Sequence, residues 1–218
     1  MRIAAVSDIH SPRYFSEFKE ALLVCERPDL FLLAGDMVDA GNVNEYRNIS
    51  NAITELFGDE LPIVACFGND ENGASIRDMK DIVRERIVFL DGDTTVIHYN
   101  GRKIGILGVP MLNVARAPKD STLEDIFEKK IDNLTRNLGD LSKTCDQSIF
   151  LLHYSPLSAE TYPEDFSWWV SRTFSEAKPE LVIHGHIHWA TKSETRIRNT
   201  RVFNVAYPST RKITELLF

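Results

Sequence analysis

RIAAVSDIH, residues 2–10, is a short apolar run from Ile3 to Val6 that halts at Ser7-Asp8 and reaches His10 two residues later. Its partly β-branched composition and abrupt polar end predict a buried strand that delivers Asp8 and His10 into a loop. Downstream, Phe15, Phe18, Leu22 and Cys25 recur at helical spacing and stop before Pro28, which cannot continue a helix. The unit then repeats. Leu30 to Leu33 ends in Gly35-Asp36, and a helical pattern from Val43 to Phe57 closes on Gly58. Ile63 to Phe67 ends in Gly68-Asn69-Asp70, before a weaker helix that runs to about Arg84. Strands alternating with helices predict a layered α/β fold with a largely parallel sheet at this end.

The second half reads differently. Thr94 to Tyr99 and Lys103 to Val109 flank Asn100-Gly101, the dipeptide favoured in two-residue hairpin turns, so antiparallel pairing is expected here. A polar helix carrying Ile126, Leu134 and Leu138 follows, then a strand from Ile149 to Leu152, a helix near Trp169 to Ala177, and a strand from Leu181 to Ile183. Ala190 to Ile197, Arg201 to Val205 and Ile213 to Phe218 read as further strands. A four-layer α/β/β/α sandwich, two mixed sheets face to face with helices outside, accommodates all of this in a single domain spanning 1–218. The irregular segments near 110–121 and 154–167 are candidates for loops that line a site.

Apolar residues make up 43% and charged residues 26% of the chain, which excludes intrinsic disorder. A net charge of -7 gives no bulk attraction to nucleic acid or anionic lipid, so a phosphate-bearing substrate would need a local positive charge, such as bound metal ions. The cysteines, Cys25, Cys66 and Cys145, are odd in number and widely spaced, which predicts neither a disulfide framework nor a thiolate zinc site. With no stretch long and apolar enough for a signal-peptide core or a membrane span, the expected location is the cytoplasm.

Five short elements stand at the carboxyl ends of expected strands: Asp8-Ile9-His10, Gly35-Asp36, Gly68-Asn69, His153 and Gly185-His186-Ile187-His188. Strand ends are where open α/β sheets bind ligands. The side chains gathered there are carboxylate, amide and imidazole, nitrogen and oxygen donors suited to manganese, iron, zinc, cobalt or nickel, with no sulfur. In an extended segment, Asp-x-His and His-x-His would turn alternate side chains to one cavity. A shared carboxylate can bridge two cations ~3.5 to 4 Å apart.

The order Asp-x-His, Gly-Asp, Gly-Asn, His, Gly-His-x-His, over residues 8–188, resembles the calcineurin-like metallophosphoesterase superfamily, and short prokaryotic members in particular. The resemblance implies two divalent metal ions, one held by Asp8, His10 and His188, the other by Asn69, His153 and His186, with Asp36 bridging them. It further implies that a bridging hydroxide attacks a phosphate ester. One position departs from the pattern. Where the family continues Gly-Asn-His, with a His that serves as proton donor or phosphate contact, this chain has Asp70. An ionised Asp70 would repel phosphate, whereas a protonated one could donate, so Asp70 is the candidate catalytic position. Loss of the His weakens monoesterase activity more than diesterase activity, because proton donation matters most for poor leaving groups.

The expected function is therefore metal-dependent hydrolysis of phosphate esters, phosphodiesters before monoesters. The alternatives are a phosphomonoesterase or protein phosphatase, or a non-catalytic scaffold on the same fold. Arg13, close after His10, is either a phosphate contact or a solvated loop residue. His184 reads as a buried structural histidine and His98 as structural or exposed. Trp168 and Trp169, with Tyr162 and Phe166, would form an apolar wall for a nucleoside or aryl group, or core, or a subunit contact. Arg116 and Arg172 read as surface charges. The partner implied is a phosphate-ester substrate, with no membrane and no strong nucleic-acid signal, and a homo-oligomer is left open.

Overall fold

In the computed structural model, which describes residues 1–71, 73–84, 86–109, 121–157, 173 and 178–218, the apolar runs assemble into two sheets. The first has β1 (Arg2–Val6), β2 (Leu30–Ala34), β3 (Ile63–Cys66) and β4 (Val88–Phe89) in parallel, with β11 (Thr214–Leu217) antiparallel on the far side of β1. In the second, β6 (Arg102–Val109), β7 (Gln147–Leu152), β8 (Leu181–His184) and β10 (Thr200–Asn204) run parallel, edged by antiparallel β5 (Thr94–Tyr99) and β9 (Glu194–Ile197). The sheets are both mixed, as expected.

Three hydrophobic cores separate four layers, and alternation along each strand assigns residues to them. Ile3 and Ala5 of β1 face the second sheet, in a core with Ile106, Ile149, Leu151 and Ile183. Ala4 and Val6 face outward, packing with residues of α1 (Phe15–Val24), α2 (Val43–Phe57) and α3 (Gly73–Val83). Burial on both faces explains why β1 is apolar throughout rather than alternating. Helix α2 contributes Tyr46, Ile49, Ile53 and Phe57, the spacing of a single apolar stripe, and the Asn42 side chain caps it by accepting from the Glu45 N–H at 3.4 Å. On the outer face of the second sheet, Leu107, Val109, Phe150 and Leu152 pack against Ile131, Leu134, Leu138 and Leu141 of α4 (Ser121–Thr144).

Asn100 and Gly101 both have positive φ, 49° and 78°, and turn β5 into β6 with Tyr99 opposite Arg102. This is the two-residue turn the dipeptide predicts. His98 is exposed and His184 is buried, as read from the sequence. Three features differ from expectation. Only Glu194–Ile197 pairs as β9, so the chain from Ala190 to Ser193 is not strand. The two-residue strand β4 and the single-turn helix α5 (Tyr207–Thr210) have no counterpart in the sequence reading. The expected helix near Trp169 to Ala177 lies outside the described residues but for Thr173, as do Tyr162, Phe166, Trp168, Arg172 and Arg116. Among the described residues no helix is long and apolar enough to cross a membrane.

The parallel strands of both sheets end at one edge, and there the sheets are joined. The Ser7 N–H donates to Val205 O at 3.1 Å, and His153 Nδ1 lies 2.9 Å from Ala34 O at the end of β2. The loops after β1, β2, β3, β7 and β8 therefore share one space.

Candidate metal centre

Asp8 lies at the floor of that space, fully buried. Its Oδ2 accepts from the Ser7 hydroxyl at 2.5 Å and the His186 N–H at 2.9 Å, which leaves Oδ1 facing His188 Nε2 at 2.8 Å and His10 Nε2 at 3.9 Å. Those bonds and the His153 charge outweigh burial and hold the Asp8 carboxyl below its ordinary range. Asp8, His10 and His188 form one group whose ligand atoms lie within 4.8 Å of one another. Asp36, His153 and His186 form a second under the same limit, and Asp36 also reaches His10 and Asp70. The carboxylate of Asp36 thus stands between the two groups. Asn69 joins the second through its Oδ1, 3.0 Å from His153 Nε2. All seven side chains singled out as ligands meet here.

They do not meet through extended segments. Asp8, His10, Asp36 and His186 have φ values of 58°, 46°, 50° and 69°, left-handed conformations uncommon for residues with a Cβ. Strained backbone of this sort costs ~1–3 kcal/mol per residue and concentrates at functional sites. The backbone that aims Asp8 and His10 is pinned by a neighbouring loop: the Asp8 N–H donates to Gly35 O and the His10 N–H to Asp36 O, each at 3.0 Å. Close approach also dictates two glycines. A Cβ on Gly68 would collide with Asp36 Oδ1, and one on Gly185 would collide with Ser7 Oγ and lie 2.5 Å from Asp8 Oδ2.

The histidines have defined roles for their two nitrogens. His153 Nδ1 is 2.9 Å from Ala34 O, an acceptor only, so Nδ1 carries the proton and Nε2 points to Asp36 Oδ2 at 3.3 Å and to Asn69 Oδ1. The Asn69 amide nitrogen donates to Asp70 Oδ1 at 2.9 Å, which fixes its oxygen toward His153. Three acceptors therefore crowd one point, and only a proton or a cation can separate them. Against burial, the Asp36 hydrogen bond and the Asp8 and Asp36 charges push His153 up to about 9, so that, where no cation binds, a proton fills this place. His188 is raised too, chiefly by its bond to Asp8, while burial and the His153 charge lower His186. Neither ring nitrogen of buried His10 makes an aligned hydrogen bond, although carboxylate oxygens surround it. Such orphaned and mutually repelling donor atoms fit divalent cations bound through nitrogen and oxygen.

Asp70 approaches His10 Nδ1 at 3.1 Å, and Asp39 does so at 3.2 Å. Arg13 is well exposed and pairs with Asp39 at 3.4 Å. Buried His184 bonds Gly185 O at 3.0 Å and is lowered to about 4 by burial, so it is neutral near pH 7. Sequence reasoning passed over Ser7, Asp39 and Tyr154, whose ring lies 4.4 Å from that of His186. It also passed over Glu71, a fully buried carboxylate that accepts three backbone N–H groups and is pushed up to about 7, chiefly by burial. A carboxylate directly after Gly-Asn-Asp was the available signal for Glu71; its partners are set by tertiary structure.

The sequence profile of a family described as calcineurin-like phosphoesterase matches residues 1–190. No curated protein matches the chain. Among solved structures it is similar to TT1561 of Thermus thermophilus, with 14% identity and a TM-score of 0.62 over 99% of this chain and 97% of that one. It is also similar to Haemophilus influenzae NAD nucleotidase, NadN, at 14% identity and a TM-score of 0.62, covering 100% of this chain and 49% of that one. GAP50, the anchor in the inner membrane complex of Plasmodium, gives 13% identity and a TM-score of 0.61 over 96% and 72%. At such identities the likeness is one of fold.

Proposed function

The chain belongs to the calcineurin-like phosphoesterase family, and on that premise we propose that it hydrolyses phosphodiesters with two divalent cations, one held by Asp8, His10 and His188 and the other by Asn69, His153 and His186, with Asp36 shared. The observation that carries this reading is the pair of Asp/His groups with the Asp36 carboxylate in reach of both. Bound cations would supply Lewis-acid stabilisation of charge at phosphorus and a water acidic enough to ionise near pH 7.

The chain's own residues prepare that chemistry. Ser7 and the His186 N–H occupy one oxygen of Asp8, so the other is free to face the site. Ala34 O holds His153 in the tautomer whose Nε2 is a ligand. Asp70 stands beside His10 and places negative charge where the family has a neutral or cationic donor. That charge disfavours a dianionic monoester more than a monoanionic diester, which is the basis for the preference. With its three unpaired cysteines, the protein suits a reducing compartment such as the cytoplasm.

The test is turnover by purified protein with Mn²⁺, comparing bis(p-nitrophenyl) phosphate with p-nitrophenyl phosphate. Diester turnover that exceeds monoester turnover and falls on the order of 10²- to 10³-fold in Asp36→Asn supports the proposal. Monoester preference would replace it with a phosphatase. Inactivity with each of Mn²⁺, Zn²⁺, Co²⁺ and Ni²⁺ would favour a scaffold.

A further inference from the structure

Glu71 has no place in the chemistry above, yet it is fully buried. Removing a carboxylate from water is expensive unless hydrogen bonds repay the loss. Here Oε2 accepts from the Gly68 N–H at 2.8 Å and the Asp36 N–H at 3.2 Å, while Oε1 accepts from the Met37 N–H at 2.7 Å. Each donor belongs to a ligand or to its immediate neighbour. Asp36 and Met37 form the turn after β2; Gly68 precedes Asn69 in the turn after β3.

The connection also runs in the opposite direction. The Asp70 N–H donates to Asp36 Oδ1 at 2.8 Å, so each turn offers a carboxylate to the backbone of the other. The Asp36 C=O in turn accepts the His10 N–H at 3.0 Å, which carries the constraint on to the turn after β1. Asp36 sits at φ 50°, and no strand neighbour receives its N–H. Without Glu71 that N–H would be orphaned beneath the site, and the Asp36 turn would lose the bonds that hold it against Gly68.

The geometry points to Glu71 as a positioning residue: its carboxylate sets the spacing between Asp36 and Asn69, and through Asp36 the aim of His10, so that both cation groups depend on it. The inference rests on the two-cation reading above. It differs from a general stabilising role because the three hydrogen bonds to its carboxylate all come from backbone N–H groups of the turns after β2 and β3.

Glu71→Gln is nearly isosteric but turns an N–H₂ toward at least one backbone N–H. The experiment measures Mn²⁺ affinity by calorimetry, the visible spectrum of the Co²⁺-loaded protein, and the melting temperature of EDTA-treated protein. Leu138→Ala, a core truncation under α4 remote from the site, serves as the stability control. The expected result is a roughly 10- to 100-fold loss of Mn²⁺ affinity and an altered Co²⁺ spectrum in Glu71→Gln, with Leu138→Ala melting lower yet binding Mn²⁺ like the wild type. Equal binding and spectra in Glu71→Gln and the wild type would overturn the inference alone. So would a Leu138→Ala protein that loses as much affinity. If Glu71→Gln does not fold, Glu71→Asp, which keeps the charge and shortens its reach, takes the same test; failure of both to fold would overturn a role confined to the ligand turns. A wild-type protein that takes up no divalent cation would overturn the proposed function and this inference with it.

Discussion

Oδ1 of Asp8 lies 2.8 Å from Nε2 of His188, a residue 180 positions further along the chain. The two come from different sheets, and their contact ties the end of β1 to the loop after β8. In EDTA-treated protein the Asp8 carboxylate holds the His188 imidazole above its ordinary range. Asp8→Asn removes that charge, so the His188 midpoint in an NMR titration should fall. A midpoint unchanged in the variant would mean that Asp8 does not govern His188. The same variant should lose divalent cation uptake at the group formed by Asp8, His10 and His188.

How much of this was legible in the sequence depends on whether the signal was local. Ile3 to Val6, Leu30 to Leu33 and Ile63 to Phe67 announce strands because burial on both faces demands continuous apolar residues, and Asn100-Gly101 announces its turn because both residues need positive φ. The gathering of these carboxylate, amide and imidazole side chains at one site was legible because each follows a strand end. Strand β4 was not, since two residues show no period and exist as strand only by pairing Val88 and Phe89 with Val64 and Ala65. The extended run expected from Ala190 starts only at Glu194, where pairing with Phe203 begins; before it, Ala190 O accepts from the Ser209 hydroxyl at 3.1 Å rather than from a neighbouring strand. The left-handed backbone at Asp8, His10, Asp36 and His186 was equally hidden, because the bonds that impose it come from distant loops. Glu71 illustrates the limit most plainly. Its carboxylate is local to Asn69, but Asp36 and Met37, which complete its shell, lie 35 and 34 positions away.

Cation binding should stabilise the fold. A ligand that binds only the native state at 100 times its dissociation constant adds ~2.7 kcal/mol. At ~2–4 °C per kcal/mol for a chain of this size, each Mn²⁺ should raise the melting temperature by roughly 5–11 °C. Differential scanning calorimetry with and without Mn²⁺ checks this, and EDTA should reverse the shift. A melting temperature indifferent to Mn²⁺, Zn²⁺ and Co²⁺ would contradict a metal centre built from these groups.

Asp70 makes a prediction of the opposite kind, a gain. Its carboxylate lies 3.1 Å from His10 Nδ1, and its backbone N–H already bonds Asp36. Asp70→His keeps the backbone bond, removes a negative charge and supplies a proton donor. General acid catalysis is worth ~10²- to 10⁴-fold, mostly for poor leaving groups. Alkyl phosphate monoester hydrolysis should therefore rise in the variant by up to ~10²-fold, while bis(p-nitrophenyl) phosphate turnover changes little. Monoester turnover that stays flat or falls would show that Asp70 does not set the preference.

Two glycine substitutions separate packing at the site from backbone strain elsewhere. A Cβ on Gly68 would collide with Asp36 Oδ1 and come within 2.5 Å of Asp36 N, and neither atom can swing aside, because Oδ1 is bonded to the Asp70 N–H and N to Glu71. The turn after β3 must move away from the turn after β2, at a cost of ~1–3 kcal/mol typical of overpacking. Gly101, at φ 78°, has no atom within 4 Å of its would-be Cβ, so the cost of Gly101→Ala is that of the left-handed backbone alone, about 1–2 kcal/mol. Both variants should melt below the wild type, but Mn²⁺ affinity and diester turnover should fall only in Gly68→Ala. If Gly68→Ala retained full metal affinity and turnover, the ligand turns would have to be more compliant than the contacts between Gly68 and Asp36 allow.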